Sequence, residues 1–152
     1  MPGRRVPAVL RAAVRRRLVM VTAVAGLLVA GCSALPDPVE LAAGQLSSAA
    51  ASSALVLEQR DDGHLTRVAA STALDDATRE VAGASRSLVQ LRLSGRRGAL
   101  REALLASAVQ LARTLHESAD AVERGRSLAP AVTTLRGTGS RLSALEDEAA
   151  RS

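Results

Sequence analysis

Three observations predict an all-α chain folded as an up-down-up-down four-helix bundle. Apolar or small residues recur at alternating spacings of three and four over four separate segments. Clusters of glycine, proline and charge near residues 60–63, 94–98 and 125–130 separate those segments. Runs of alternating β-branched residues, the mark of half-buried strands, are absent. Four amphipathic stretches of roughly 20–30 residues with short connections form the pattern of such a bundle. A long helical hairpin that completes its core by dimerising is the alternative.

The first helix opens at Asp37-Pro38-Val39-Glu40. Asp37 suits the N-cap, where its carboxylate accepts from orphan backbone N–H groups. Pro38 suits the first helical position, and Glu40 takes the place of the reciprocal capping residue. The stripe Val39, Ala42, Leu46, Ala49, Ser53, Val56 then runs to about Arg60, where Arg60-Asp61-Asp62-Gly63 breaks it. The second helix carries the cleanest seam, Ala70, Leu74, Ala77, Val81, Ala84, Leu88 and Leu91, stepping by four and three throughout. Ser94-Gly95-Arg96-Arg97-Gly98 ends it, and a third helix over about 99–124 aligns Leu104, Ala108, Leu111, Leu115, Ser118 and Val122. The last helix uses Leu128, Val132, Leu135, Gly139 and Leu142, with Gly137 and Gly139 each weakening it by up to about 1 kcal/mol. The chain has no aromatic residue, so the core is Leu, Val and Ala. Acid-then-Arg pairs at Asp75/Arg79, Asp120/Arg124 and Asp147/Arg151 read as solubilising helix-surface pairs.

Charge is distributed unevenly. All 20 basic residues are arginine, and six of them (4, 5, 11, 15, 16, 17) crowd the first 17 positions. From Cys32 onward 14 Arg face 15 Asp and Glu, so the formal +5 of the whole chain belongs to its beginning. The near-neutral body is no nucleic-acid binder. Residues 18–30 (LVMVTAVAGLLVA) carry no charge, and Ala30 and Gly31 precede the single cysteine, Cys32. A basic stretch, a short apolar stretch and a small-residue cleavage site make a secretory signal over 1–31. Thirteen residues are short for a membrane span, which needs about 20. Extending the run through Leu35 keeps an uncleaved anchor open. Arg15-Arg16-Arg17-Leu18-Val19 also fits a loose twin-arginine pattern, beside ordinary Sec export.

Val29-Ala30-Gly31-Cys32 resembles the lipobox of bacterial lipoproteins, with Val29 standing where leucine is commonest. The resemblance covers residues 1–33. It implies diacylglycerol on the Cys32 sulfur, cleavage just before Cys32, and a mature protein held by acyl chains such as palmitate on the outer face of the cell membrane. Two acyl chains anchor stably where one binds only marginally. Residues 32–37 are then a lipidated tether, and 38–152 the bundle domain. The tether from Ser33 to Asp37 reaches about 17 Å at most.

This topology sends the first and third connections to the far tip and returns the second towards the lipid. The returning turn holds Arg92, Arg96, Arg97 and Arg101, expected either to meet anionic headgroups at about 1 kcal/mol each or to form a solvated loop partly neutralised by Glu146, Asp147 and Glu148. The tip shows Arg60, Asp61, Asp62, His64, Glu123, Arg124 and Arg126, a mixed-charge surface expected to face a protein partner or the cell wall.

No catalytic pattern accompanies these features. His116 and Asp120 lie one helical turn apart, but two ligands make no metal centre. Asp61-Asp62 and Asp75-Asp76 lack calcium-loop spacing. The Arg136-Gly137-Thr138-Gly139-Ser140-Arg141 stretch has no lysine and follows no strand, as a phosphate loop would. Serine-nucleophile motifs are missing. The expectation is therefore a non-catalytic interaction or scaffold module without cofactor or metal. Its partners would be the membrane through Cys32, another envelope protein and a possible second copy. A ligand-binding or sensory bundle is the alternative.

Overall fold

The computed structural model describes residues 37–151, and Pro36–Ser152 form a compact unit of their own. Four helices fill it: α1 (Pro38–Asp61), α2 (Arg67–Gln90), α3 (Gly95–Glu123) and α4 (Ala129–Ala150). No strand occurs among the described residues. The helices form a four-helix bundle within one chain, in place of the dimerising hairpin. Around the ring α1 packs on α2, α2 on α3, α3 on α4 and α4 back on α1. Across the middle α1 also meets α3, whereas α2 and α4 stay apart.

The start of α1 follows its local chemistry. One carboxylate oxygen of Asp37 accepts from the Val39 N–H at 2.9 Å, and Pro38 occupies the first turn. The helix stops where Gly63 turns left-handed at φ 76°. Its buried stripe is wider than expected. Val39, Ala42, Leu46, Ala49 and Ser53 are buried as anticipated, and Val56 is partly buried against the core. Ala43, Ala50, Ala54 and Leu57 form a second buried row beside them. Two adjacent rows let α1 touch three neighbours, and alanine keeps those contacts close.

All six seam residues of α2 from Ala70 to Leu88 are buried, with Leu91 partly so. Thr66 caps this helix, accepting from the Ala69 N–H at 3.2 Å. The six expected positions of α3 are buried too, joined by Leu100, Thr114 and Ala121. Ser53, Thr114 and Ser118 sit in the apolar interior because each donates its hydroxyl to the carbonyl one turn back, at 2.7, 3.1 and 2.6 Å. Burial therefore leaves no donor stranded at these three positions.

One boundary differs from the sequence expectation. The helix α3 begins at Gly95 rather than near 99, so the glycine-flanked arginines lie in its first turn and not in a connecting loop. Gly95, at φ 60°, makes the sharp entry. Gly98 passes beneath the connection, where a Cβ would stand 3.0 Å from the Leu93 carbonyl oxygen. The glycines shape the start of this helix where they were expected to break the chain. Likewise α4 runs unbroken through Gly137 and Gly139.

These two kinds of glycine respond oppositely to alanine. Gly98→Ala forces a methyl onto a backbone carbonyl and lowers the melting temperature. Gly137, with open space around a virtual Cβ, gains helix propensity, so Gly137→Ala stabilises by about 1 kcal/mol at most. Thermal unfolding followed by circular dichroism measures both.

Candidate functional site

Each end of the bundle gathers one set of the residues singled out above. At the end where α1 begins, α3 has an electrostatic problem. Its first turn contains Arg96 and Arg97 and no acid, although a helix N-terminus carries partial positive charge. Each misplaced charge there typically costs about 0.3–1 kcal/mol at an exposed site. The missing anions arrive from other helices. Arg97 pairs with the second carboxylate oxygen of Asp37, and Arg96 reaches Glu148 of α4 through Nε and Nη2, both at 3.2 Å. Arg101 donates to the Leu91 carbonyl and pairs with its neighbour Glu102. Three of the four arginines expected at headgroups are thus engaged within the protein. Arg92 is exposed, with no polar partner among the described residues.

Asp37 is the junction of this end. It caps α1 with one oxygen and holds α3 with the other. The hydrogen bond from Arg97 is the strongest influence on its carboxyl and holds it below the usual carboxylate range. Partial burial opposes that shift, while the Val39 N–H, the Arg97 charge and the Glu40 N–H reinforce it.

The other end collects the expected tip. Asp61, Asp62 and His64 are exposed around the Gly63 turn, whose backbone is tied by the His64 and Leu65 N–H groups to the Gln59 carbonyl at 2.8 and 3.1 Å. Arg60 is half-buried and donates to the Leu65 carbonyl at 3.3 Å. Glu123 accepts from the Ser71 hydroxyl at 2.6 Å, which ties the end of α3 to the start of α2. Arg124 pairs with Asp120 at 3.0 Å, and Arg126 is exposed just beyond Gly125. At the same end Arg136 of α4 bridges to Glu58 of α1 at 2.7 Å.

Apart from the neutralisation of the arginine turn by acids of the last helix, which the Arg96–Glu148 pair realises, the cross-helix pairs were beyond a reading based on spacing within one helix. Of the three pairs expected at that spacing, Asp120–Arg124 forms, and Arg79 takes Asp76 in place of Asp75. Asp147 and Arg151 make no ion pair among the described residues. The acid-to-arginine contacts that join elements are Asp37–Arg97, Glu148–Arg96 and Glu58–Arg136.

His116 is exposed beside Asp120 on α3, and no group of three or more His, Cys, Asp or Glu side chains among the described residues could hold a metal ion. The stretch 136–141 lies inside α4 and offers no helix N-terminus to a phosphate. Grooves run between neighbouring helices. One of about 510 Å³ lies between α1 and α4, floored by Ala51, Ala54 and Leu55. Another of about 520 Å³ lies between α3 and α4, lined by Ser107, Gln110, Thr134, Thr138 and Arg141. No described helix is long and apolar enough to cross a membrane. Cys32, the signal over 1–31 and the tether before Asp37 lie outside the described residues. No protein-family model, curated protein or solved structure matches this chain.

The Asp37 junction makes stability pH-dependent in a defined direction. A carboxyl lowered in the folded state contributes stability above its unfolded pKa and loses it as pH falls through the folded value. Acid titration should therefore weaken the native protein progressively below the ordinary carboxylate range. Arg97→Gln should flatten that part of the profile while leaving the Val39 cap in place, as read by urea unfolding at stepped pH.

Proposed function

We propose that this chain is a lipid-anchored extracytoplasmic protein whose bundle serves as a non-catalytic interaction module at the cell membrane. The observation that carries the reading is Val29-Ala30-Gly31-Cys32, set after a basic and then an apolar stretch and followed closely by the helix that starts at Pro38. Lipid on the Cys32 sulfur makes that thiol an anchor, unavailable for redox or nucleophilic chemistry. The body supplies surfaces for binding: a tip of mixed charge and long outward helix faces. Its interior is mostly Leu, Val and Ala, and the hydroxyls of the buried Ser53, Thr114 and Ser118 are held by backbone carbonyls.

A ligand-binding bundle is the second reading, favoured by the polar groove between α3 and α4 with Arg141 at its edge. A small molecule that raised the melting temperature of wild type and not of Arg141→Ala would favour it. Partners recovered by crosslinking at the tip residues favour the interaction module.

The anchor has its own test. Cys32→Ser should abolish incorporation of a labelled fatty acid and move the protein out of the membrane fraction. An unchanged membrane fraction without label would show an uncleaved segment instead.

A further inference from the structure

The outward face of α1 differs from every other outward face of the bundle. From Leu41 to Leu57 the helix carries no charged residue over 17 positions, about 25 Å of helix. The outward faces of α2, α3 and α4 are charged, with Asp75 and Arg86, Arg113 and Glu117, and Arg141 and Asp147. Along α1 the exposed or half-exposed stripe is Leu41, Gly44, Ser48, Ala51, Leu55, again with alternating spacings of three and four. Its two leucines are 50% and 54% exposed. Ser48 and Ala51 between them are exposed and leave room for another helix to lie close, whereas Gly44 lies under the Glu146 carboxylate of α4, where a Cβ would stand 3.1 Å from its oxygen.

The stripe reads almost the same in both directions. Reversed about Ser48, Leu41 falls on Leu55, Ser48 on itself, and Gly44 within one residue of Ala51. The flanking charges choose the same arrangement. Glu40 lies on the α4 side of α1, as does Ser47 seven residues later, which shares a 2.9 Å hydrogen bond with Ser143. Arg136, also on that side, is held at the height of Glu58. Reversal about Ser48 brings that height to the level of residue 38, next to Glu40. An antiparallel copy thus sets Arg136 beside Glu40 at both ends of the stripe. A parallel copy would instead set Glu80 of α2 against Glu146 of α4, the acids that flank the groove beside Gly44.

We propose that the protein pairs with a second copy of itself through this face, antiparallel and two-fold symmetric about Ser48. Such an interface is isologous, each patch meeting its own copy. Leu41 packs on Leu55 of the second copy, and two Arg136–Glu40 pairs close its ends. Every residue it uses belongs to the bundle, but the pair constrains the anchor. Its two Asp37 ends lie about 33 Å apart along α1, so both copies reach one membrane through their short tethers only with α1 lying along its surface.

The compact unit 36–152, which encloses its own core, is the material for the test. Sedimentation equilibrium should show a monomer–dimer equilibrium. Arg136→Glu should weaken it at least tenfold, and combining it with Glu40→Arg should restore most of the loss, since the pair is then inverted. Ser48→Arg should give a monomer with unchanged helical circular dichroism. In a chain with no other cysteine, Ser48→Cys should form a disulfide-linked dimer under mild oxidation. Leu41→Cys should crosslink to Leu55→Cys faster than to itself. A protein that stays monomeric to about 100 μM, a dissociation free energy near 5–6 kcal/mol, overturns the proposal. So does a dimer that survives Ser48→Arg, or one in which Leu41→Cys crosslinks best to its own copy.

Discussion

The smallness of the residues along α1 is the constraint on which the rest of the structure depends. A helix that must meet α2, α3 and α4 together cannot carry bulky side chains on all three contacts. Two rows of mostly alanine, with Leu46 and Leu57 as the large members, let it sit nearest the middle. The leucines of α2, α3 and α4 then supply the volume that α1 lacks. Leu74 and Leu88, Leu104, Leu111 and Leu115, and Leu135 and Leu142 are all fully buried. With no aromatic side chain available, a slim helix and its leucine-bearing neighbours together fill the core.

Electrostatics at the start of α3 follow from the same economy of parts. The chain places cations where a helix favours anions, and the fold answers with carboxylates from α1 and α4. That answer ties three helices together at one end of the bundle, above the buried Val39, Leu88, Leu100 and Ala149. Exposed ion pairs contribute little singly. Asp37 differs because its cap bond and its arginine hold it from two sides, so ordering its side chain serves two contacts at once.

Much of the fold was legible in the sequence because heptad-like spacing is a local property of one strip of chain. The seam of α2 was legible from Ala70 to Leu88, since each step placed one apolar residue on one face, and only Leu91 falls past the helix end. The double row of α1 was harder. Ala43, Ala50 and Ala54 look like propensity residues until a second neighbour is known to lie against them. The start of α3 was misplaced because glycine near arginine marks a turn in most settings. Here the left-handed Gly95 and the crowded Gly98 form the turn and the helix start together. At the candidate sites, exposure of the tip residues followed from their turn chemistry. The acids expected to neutralise the arginine turn included Glu148, which pairs with Arg96, whereas Asp37 as the partner of Arg97 was not legible, because it lies more than 50 residues away along the chain and only packing brings it near.

The cap at Asp37 has a mechanical meaning as well. Any pull transmitted along the segment before the bundle enters the folded protein at this residue. There the chain is fastened sideways to Arg97 as well as lengthwise into α1. Tension entering there meets two contacts, the Val39 cap and the Arg97 pair, before it reaches the first turn of α1.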